Sequence, residues 1–415
     1  MPLPPDEAKV VPAEYKALLR TVSAAGQTTR PELVAQSGLP RSSVAARVKE
    51  LLDGGLLVET GQTESTGGRR ATGLAFPPDM GMVLALELGS THARWRVSTF
   101  AQEVVAGAEL TVTISAGSRK VLGQVAASVS AALEGVGVSK GAIRACALGF
   151  PGPVDFRVGR VTGPPNMAGW DHATLPELMA DWMGAPAVVD NDVNIMALGE
   201  HRAVWRPEGV DNLLFIKHGT GIGCGIIADG EVFRGADGTA GEVGHMHVAG
   251  SQSTELCSCG GNNCLEVLAS GKALVRRLRA HGYEVATATE VAQLVLSGDV
   301  VAMNAVRDAG RALGEIMGGI VNFFNPSVLV TGGSIGSLGV PLLAGLREAV
   351  YAQATMFSTR HLRIVPSRLG RDAGPRGATL LALELAYDEA IRRSMTVDGF
   401  GGSTPATSAK ARGWE

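Results

Sequence analysis

The chain has 415 residues, 45% of them hydrophobic and 19% charged, with 55 glycines and a formal net charge of −3. Such a length suggests two or three domains with room for a large core, and the composition reads as an α/β protein rich in tight turns. The near-neutral balance excludes a surface coated in basic patches, so any nucleic-acid contact has to be local.

From the start, Met1 to Val11 carries Pro, Asp and Glu where an export signal needs a basic and then an apolar stretch. No apolar run approaches the roughly 20 residues that span a bilayer, so no membrane partner and a cytoplasmic location are expected. Three textures follow one another. Residues 12–76 are helical and polar, and 77–394 alternate apolar strands with amphipathic helices. Residues 1–11 and the Gly/Ser/Thr/Ala-rich 395–415 have little to bury and are expected to be disordered. Phe76-Pro77-Pro78 reads as a short stiff hinge, because consecutive prolines favour extended backbone.

Tyr15 to Ala25 places Leu18, Leu19 and Val22 at helical spacing and ends near Gly26. Thr29 with Glu32 makes a capping box that opens a second helix bearing Leu33 and Val34. After Ser37-Gly38-Leu39-Pro40, a third helix from Arg41 sets Val44, Val48, Leu51 and Leu52 on one stripe. Its leading and opposite faces keep Arg41, Ser42, Ser43, Ala46 and Arg47. Two short helices around a glycine turn, the second fronted by small and basic residues, suit a major groove. Leu56-Leu57-Val58 then reads as a strand, Gly61 to Gly68 as a loop and Thr72 to Ala75 as a returning strand. Arg69 and Arg70 at the loop's exit can reach a phosphate or a narrow minor groove. The whole is a winged helix-turn-helix that contacts operator DNA through Arg41, Ser42, Ser43, Arg47, Arg69 and Arg70. Its near charge balance calls for a dimer presenting two readers.

Further on, Met82 to Leu86 is a buried strand running into Glu87-Leu88-Gly89-Ser90-Thr91, with His92 to Phe100 as its hairpin partner. Similar glycine turns follow at His218-Gly219-Thr220-Gly221-Ile222-Gly223 and at Thr331-Gly332-Gly333-Ser334, each at a strand end. Glycine lets backbone N–H groups approach phosphate oxygens closely, and threonine hydroxyls add donors. Any one turn is weak evidence. Three, spread over two halves of one domain, fit the duplicated actin-like ATPase (ribonuclease H-like) architecture of two-lobed sugar kinases.

Between the second and third turns lies a concentrated group of metal-ligand types. Cys257, Cys259 and Cys264 crowd one short loop close to His245 and His247, whereas Cys146 and Cys224 sit among apolar or glycine residues and read as core. One histidine and three cysteines suit a closed tetrahedral Zn2+ with no open position, hence a structural site over the loop 245–264.

These motifs resemble the ROK family, named for repressors, open reading frames and kinases. The resemblance runs from about residue 12 to 394 and is most specific at Gly241-Glu242-Val243-Gly244-His245 followed by Cys257-Ser258-Cys259-Gly260 and Cys264-Leu265-Glu266. Pro151-Gly152-Pro153-Val154-Asp155, Asn166 to Trp170, Asn191-Asp192-Val193-Asn194 and Gly199-Glu200 also match. Ser65-Thr66-Gly67-Gly68-Arg69-Arg70 looks like the family's repressor branch. The resemblance implies His245 as fourth metal ligand, and a sugar site lined by Asn166, Asn191, Asp192, Glu242, His245 and Glu266. It implies phosphate or nucleotide binding at Glu87, Gly89, Thr91, Gly219, Thr220, Gly221, Gly332 and Gly333.

In the family's kinases the aspartate at the Asp192 position is the base that deprotonates the sugar hydroxyl. Their first loop, however, usually shows Asp-x-Gly-Gly-Thr, whereas here it is Glu87-Leu88-Gly89-Ser90-Thr91. The longer carboxylate and the Ser90 side chain put ATP use in doubt. Two readings stay open: a sugar-responsive regulator, of repressor type, acting as a homodimer or homotetramer; or a bifunctional protein keeping ATP- and Mg2+-dependent hexose kinase activity.

Overall fold

The computed structural model describes residues 11–62, 71–161, 169–170, 174–251 and 253–397. They form two compact units. One draws on the chain up to Met80 and again from Ala386, and the other runs from Gly81 to Leu385.

In the first unit the order is α1 (Ala13–Ala25), β1 (Gln27–Thr29), α2 (Arg30–Ser37), α3 (Arg41–Asp53), β2 (Val58–Gln62) and β3 (Thr72–Ala75). The Thr29/Glu32 capping box is present, and Gly38 closes α2 with a left-handed φ of 68°. Leu18, Leu19, Leu33, Val48 and Leu74 are fully buried between the helices and the small sheet. Leu56 and Leu57 do not open the wing strand. Their amides donate to the Leu51 carbonyl at 2.9 and 3.2 Å, satisfying the end of α3, and the strand starts at Val58. β3 lies between β1 and β2, the former too short for its periodicity to be read in the sequence.

The far end of the chain completes this unit. Tyr387 is 1% exposed and stacks on Phe76, ring centroids 6.1 Å apart and planes 3° from parallel. Lys16 pairs with Asp388 at 3.2 Å.

The second unit begins with β4 (Met82–Leu88), β5 (His92–Thr99), β6 (Val104–Thr111), α4 (Ser118–Gly135), β7 (Ile143–Phe150), β8 (Val154–Asp155), β9 (Arg160–Val161), α5 (Leu175–Met183), β10 (Ala187–Asn191) and α6 (Asp192–Glu200). It continues with β11 (Leu213–His218), β12 (Ile222–Ala228), β13 (Glu231–Val232), α7 (Leu265–Ala269), α8 (Gly271–Ala280), α9 (Ala288–Leu296) and α10 (Val300–Phe324). β14 (Val328–Gly332), α11 (Gly333–Gly336), α12 (Val340–Gln353), α13 (Met356–Thr359), β15 (Arg363–Pro366) and α14 (Ala373–Val397) follow. The tail expected to lack structure from residue 395 therefore begins as the end of a helix.

Two five-stranded sheets carry this unit, ordered β10-β7-β4-β5-β6 and β13-β12-β11-β14-β15. Each has three successive antiparallel strands followed by two parallel additions on the side of the first strand. The same plan built twice is the duplicated actin-like architecture expected from the glycine turns. Separate cores back the two sheets, one around Leu84, Leu148 and Trp170, the other around Ile216, Leu313 and Leu346. α6 and α14 cross with their backbones in contact: a Cβ at Gly377 would lie 1.7 Å from the Ile195 carbonyl oxygen, and one at Gly199 2.2 Å from that of Ala373. Fully buried Glu200 at the end of α6 accepts from the Ser367 hydroxyl at 2.7 Å and from the Arg368 and Leu369 amides at 2.8 and 3.1 Å. Among the described residues no helix is long and apolar enough to cross a membrane.

Candidate functional site

Parallel pairing brings the carboxyl ends of strands together, where open α/β sheets bind ligands. Glu87 lies opposite Gly149 and Phe150 opposite Asn191 in the first sheet, and Lys217 opposite Gly332 in the second. Asn191 caps α6: its Oδ1 accepts from the Val193 amide at 2.9 Å, and its Nδ2 donates to the Gly152 carbonyl at 2.9 Å. Asp192, in the first turn of α6 where the helix dipole favours an anion, is buried and contacts the Lys217 ammonium. Burial pushes its carboxyl up, and Lys217 is the chief influence pulling it down.

Glu242 and Glu266 complete a carboxylate group with Asp192. Burial raises the Glu242 carboxyl, the charges of Glu266 and Asp192 add to this, and His245 opposes it. Glu266 Oε2 accepts from the Ile222 amide at 3.3 Å. Gly221 leaves the space for it, since a Cβ there would be 2.7 Å from that oxygen. Of the sugar-site residues named from the sequence, Asp192, Glu242, His245 and Glu266 converge and Asn191 adjoins them. Asn166 lies outside the described residues.

On the other side of Glu242 the His245 ring joins the cysteines. Ligand atoms of His245, Cys257, Cys259 and Cys264 all lie within 4.8 Å of one another. Cys257 Sγ is 3.3 Å from His245 Nδ1, and Cys259 Sγ is 3.6 Å from Cys264 Sγ. Thiolates at about 2.3 Å from a tetrahedral ion stand roughly 3.8 Å apart, so the cage is metal-sized. The knuckle is held independently: Cys257 N–H donates to Gly261 O and Val248 N–H to Asn263 O, at 2.9 and 3.0 Å. His247 bridges to Cys264 through its backbone and stays outside the cage, its Nε2 being 3.5 Å from Asn263 Nδ2. His245 uses both nitrogens, Nδ1 toward the cysteines and Nε2 toward Glu242 Oε2 at 3.7 Å.

The first glycine turn is filled by its own side chains. Glu87 is buried against Arg94 at 3.2 Å, and Arg94 continues to Glu109 at 3.3 Å. Burial drives the Glu87 carboxyl up; Arg94 and then Lys217 oppose it, while Asp192 adds to it. The His92 ring covers Gly89, where a Cβ would be 2.3 Å from it, and burial, Arg94 and Lys217 hold that imidazole down to about 4. Thr91 is exposed. In the second turn Gly219 O accepts from Gly271 N–H at 2.8 Å and Thr220 O from Lys272 N–H at 3.3 Å. Gly221 faces Glu266, so this turn belongs as much to the carboxylate group as to a phosphate. The third turn differs from a free loop: Gly332 ends β14, Gly333 starts α11, and the Thr331 hydroxyl is buried, donating to Gly336 O at 2.9 Å.

Sequence reasoning missed Lys217, Arg94 and His92. Lys217 left one signal, a lone charge ending the apolar run Leu213-Leu214-Phe215-Ile216.

In the first unit Arg41 and Ser42 are exposed and Ser43 is half-buried at the front of α3. Arg47, expected to face DNA, turns back instead. It donates to Glu14 at 2.9 Å and Glu50 at 3.0 Å and lies over the Tyr15 ring, bracing α3 on α1. Arg69 and Arg70 lie outside the described residues.

Residues 83–385 match the ROK family. The chain belongs to the ROK family. The xylose repressor of Caldicellulosiruptor bescii is 29% identical over 346 residues, which cover 80% of this chain and 85% of that protein. Among solved ROK structures, a transcriptional regulator described as a homologue of the Escherichia coli MLC protein covers 93% of this chain and 99% of its own, with TM-score 0.74 at 24% identity. A glucokinase from Streptomyces griseus, in complex with glucose and AMPPNP, covers 73% and 100%, with TM-score 0.64 at 27% identity. The glucokinase match thus takes in about three quarters of the chain, and the xylose repressor match 80% of it.

Proposed function

We propose that this ROK protein is a sugar-responsive transcriptional repressor that reads operator DNA with its N-terminal unit and a carbohydrate with its cleft. The observation carrying this reading is the N-terminal unit itself, three helices and a small sheet with Arg41 and Ser42 exposed at the front of α3. Arg69 and Arg70 are its further DNA contacts, and a homodimer supplies two readers for two half-sites. Asp192, Glu242 and Glu266 offer the planar acceptors that a sugar's hydroxyls need. Asn191 and His245 adjoin them, and Asn166 is assigned to the sugar by the family resemblance alone. Ligand binding between the lobes shifts the DNA-competent population.

The His/Cys cage holds a structural Zn2+ through His245, Cys257, Cys259 and Cys264. Its donor set is complete, so the ion supplies rigidity and has no open position for chemistry. Glu266 follows Cys264 by two residues, so the metal also positions a sugar-binding carboxylate.

Kinase chemistry is disfavoured by the Glu87–Arg94 pair and by His92 over Gly89, which fill the turn where metal-bound phosphates would approach. The test is a gel-shift screen of genomic fragments with and without D-xylose and D-glucose, run beside a coupled ADP-release assay. Retardation relieved or enhanced by a sugar, with no ADP release, is the expected result. Turnover on the order of 1 to 100 per second would establish the bifunctional reading instead.

A further inference from the structure

Lys217 is the penultimate residue of β11, its side chain 23% exposed, and contacts one oxygen of Asp192, whose side chain is 6% exposed. The groups facing Asp192 are Lys217 from β11, Glu87 from β4 and Glu242 from the segment before the metal loop. Glu87 has Arg94 as a partner of its own, and Glu242 has His245. Among the described residues Lys217 is therefore the cation in contact with Asp192, and the Asp192 carboxylate repels both Glu87 and Glu242.

We infer that Lys217 decides what the cleft does with a bound hydroxyl: by engaging one oxygen of Asp192, it makes that carboxylate a fixed acceptor and not a proton-abstracting base. The inference rests on the sugar-binding reading above and assigns the specificity of that same site, recognition in place of group transfer. A general base works best when its affinity for a proton is matched to the operating pH. An ammonium in contact stabilises the ionised form and so spoils that match. The free oxygen of Asp192 remains able to accept from a ligand hydroxyl, which is all that a sensor requires. Burial drives Asp192 toward the neutral acid and still holds its carboxyl above the ordinary carboxylate value; Lys217 is the leading counterweight, so removing the ammonium leaves that burial unopposed.

The experiment uses the full chain as wild type, Lys217→Met, Lys217→Arg and Lys217→Met/Asp192→Asn. Infrared difference spectra of the ligand-free proteins report a protonated buried carboxyl, and calorimetry reports D-glucose and D-xylose affinity from pH about 6 to about 9. Expected is no protonated-carboxyl band at Asp192 in wild type or Lys217→Arg, with Kd constant within about twofold. Lys217→Met should show the band, lose it in the double variant, and bind at least about tenfold more weakly at the acid end, as one-proton coupling dictates. An Asp192 still ionised in Lys217→Met with a flat Kd profile overturns the inference, as does wild-type protein that turns over ATP with either sugar. If the spectra behave as expected but neither sugar binds, the role of Lys217 stands and the carbohydrate reading fails. Lys217→Arg keeps the charge, so protonated Asp192 in that variant also overturns it, whatever the stability of Lys217→Met.

Discussion

Replacing Tyr387 with alanine tests whether the chain's far end is part of the DNA-reading unit. The ring is 1% exposed and stacked on Phe76 at 6.1 Å, so truncation removes a fully buried aromatic from the core of that unit. Aromatic-to-alanine changes of this kind cost about 3–5 kcal/mol, of which the ring pairing supplies about 0.5–1.5. Against a typical domain stability of about 5–15 kcal/mol that is a large share. At about 4 °C or more per kcal/mol for a small unit, the melting temperature should fall by more than about 12 °C. Scanning calorimetry of the full chain reads this on the transition that DNA raises, since a ligand of the folded form stabilises it. Limited proteolysis near Phe76 gives a second readout. Tyr387→Phe keeps the ring and should lose far less. A head transition and a cleavage rate unmoved by Tyr387→Ala would refute the assignment of the end of α14 to this unit.

Three further outcomes follow from the described geometry. Elemental analysis should find about one transition metal per chain; chelation or Cys259→Ser should remove it and weaken sugar binding while the sheets persist, because the knuckle has its own backbone bonds. His218, fully buried with Nε2 2.7 Å from Ala269 O, has its imidazole pushed down to about 4 by burial. Its folded value lies below the unfolded one, so the unfolded chain binds more protons in between; stability is full above pH about 6.5 and declines by about 3 kcal/mol as pH falls toward about 4. His218→Gln should flatten that decline in acid unfolding curves, and an unchanged slope would put the effect elsewhere. Arg69→Ala/Arg70→Ala should weaken operator binding and lower its salt slope, whereas Arg47→Ala should act mainly on thermal stability; the opposite pattern would reverse the two roles.

How much of this was legible in the sequence depends on the separation of the partners. The Thr29/Glu32 cap, the strands flanking the glycine turns and the His/Cys knuckle are local patterns, and each stands where the residues put it. Arg47 misled because its partner Glu14 is thirty-three residues away, and a basic residue on a helix looks alike whether it meets DNA or a carboxylate. Lys217 was invisible as a site residue because its meaning comes from Asp192 on another element. Tyr387 was beyond reach for the same reason, as nothing near it in the chain names Phe76.

The glycine contact between α6 and α14 has a further consequence. Where two helices meet through side chains, repacking lets them slide by fractions of an ångström; where carbonyl oxygens meet bare Cα atoms, there is nothing compressible between them. The depth at which Asp192 sits is therefore indexed by main chain against main chain. Drift in the surrounding hydrophobic residues can accumulate without moving that carboxylate, so new sugar preferences can be engineered at the cleft's rim while Gly199 and Gly377 are left alone.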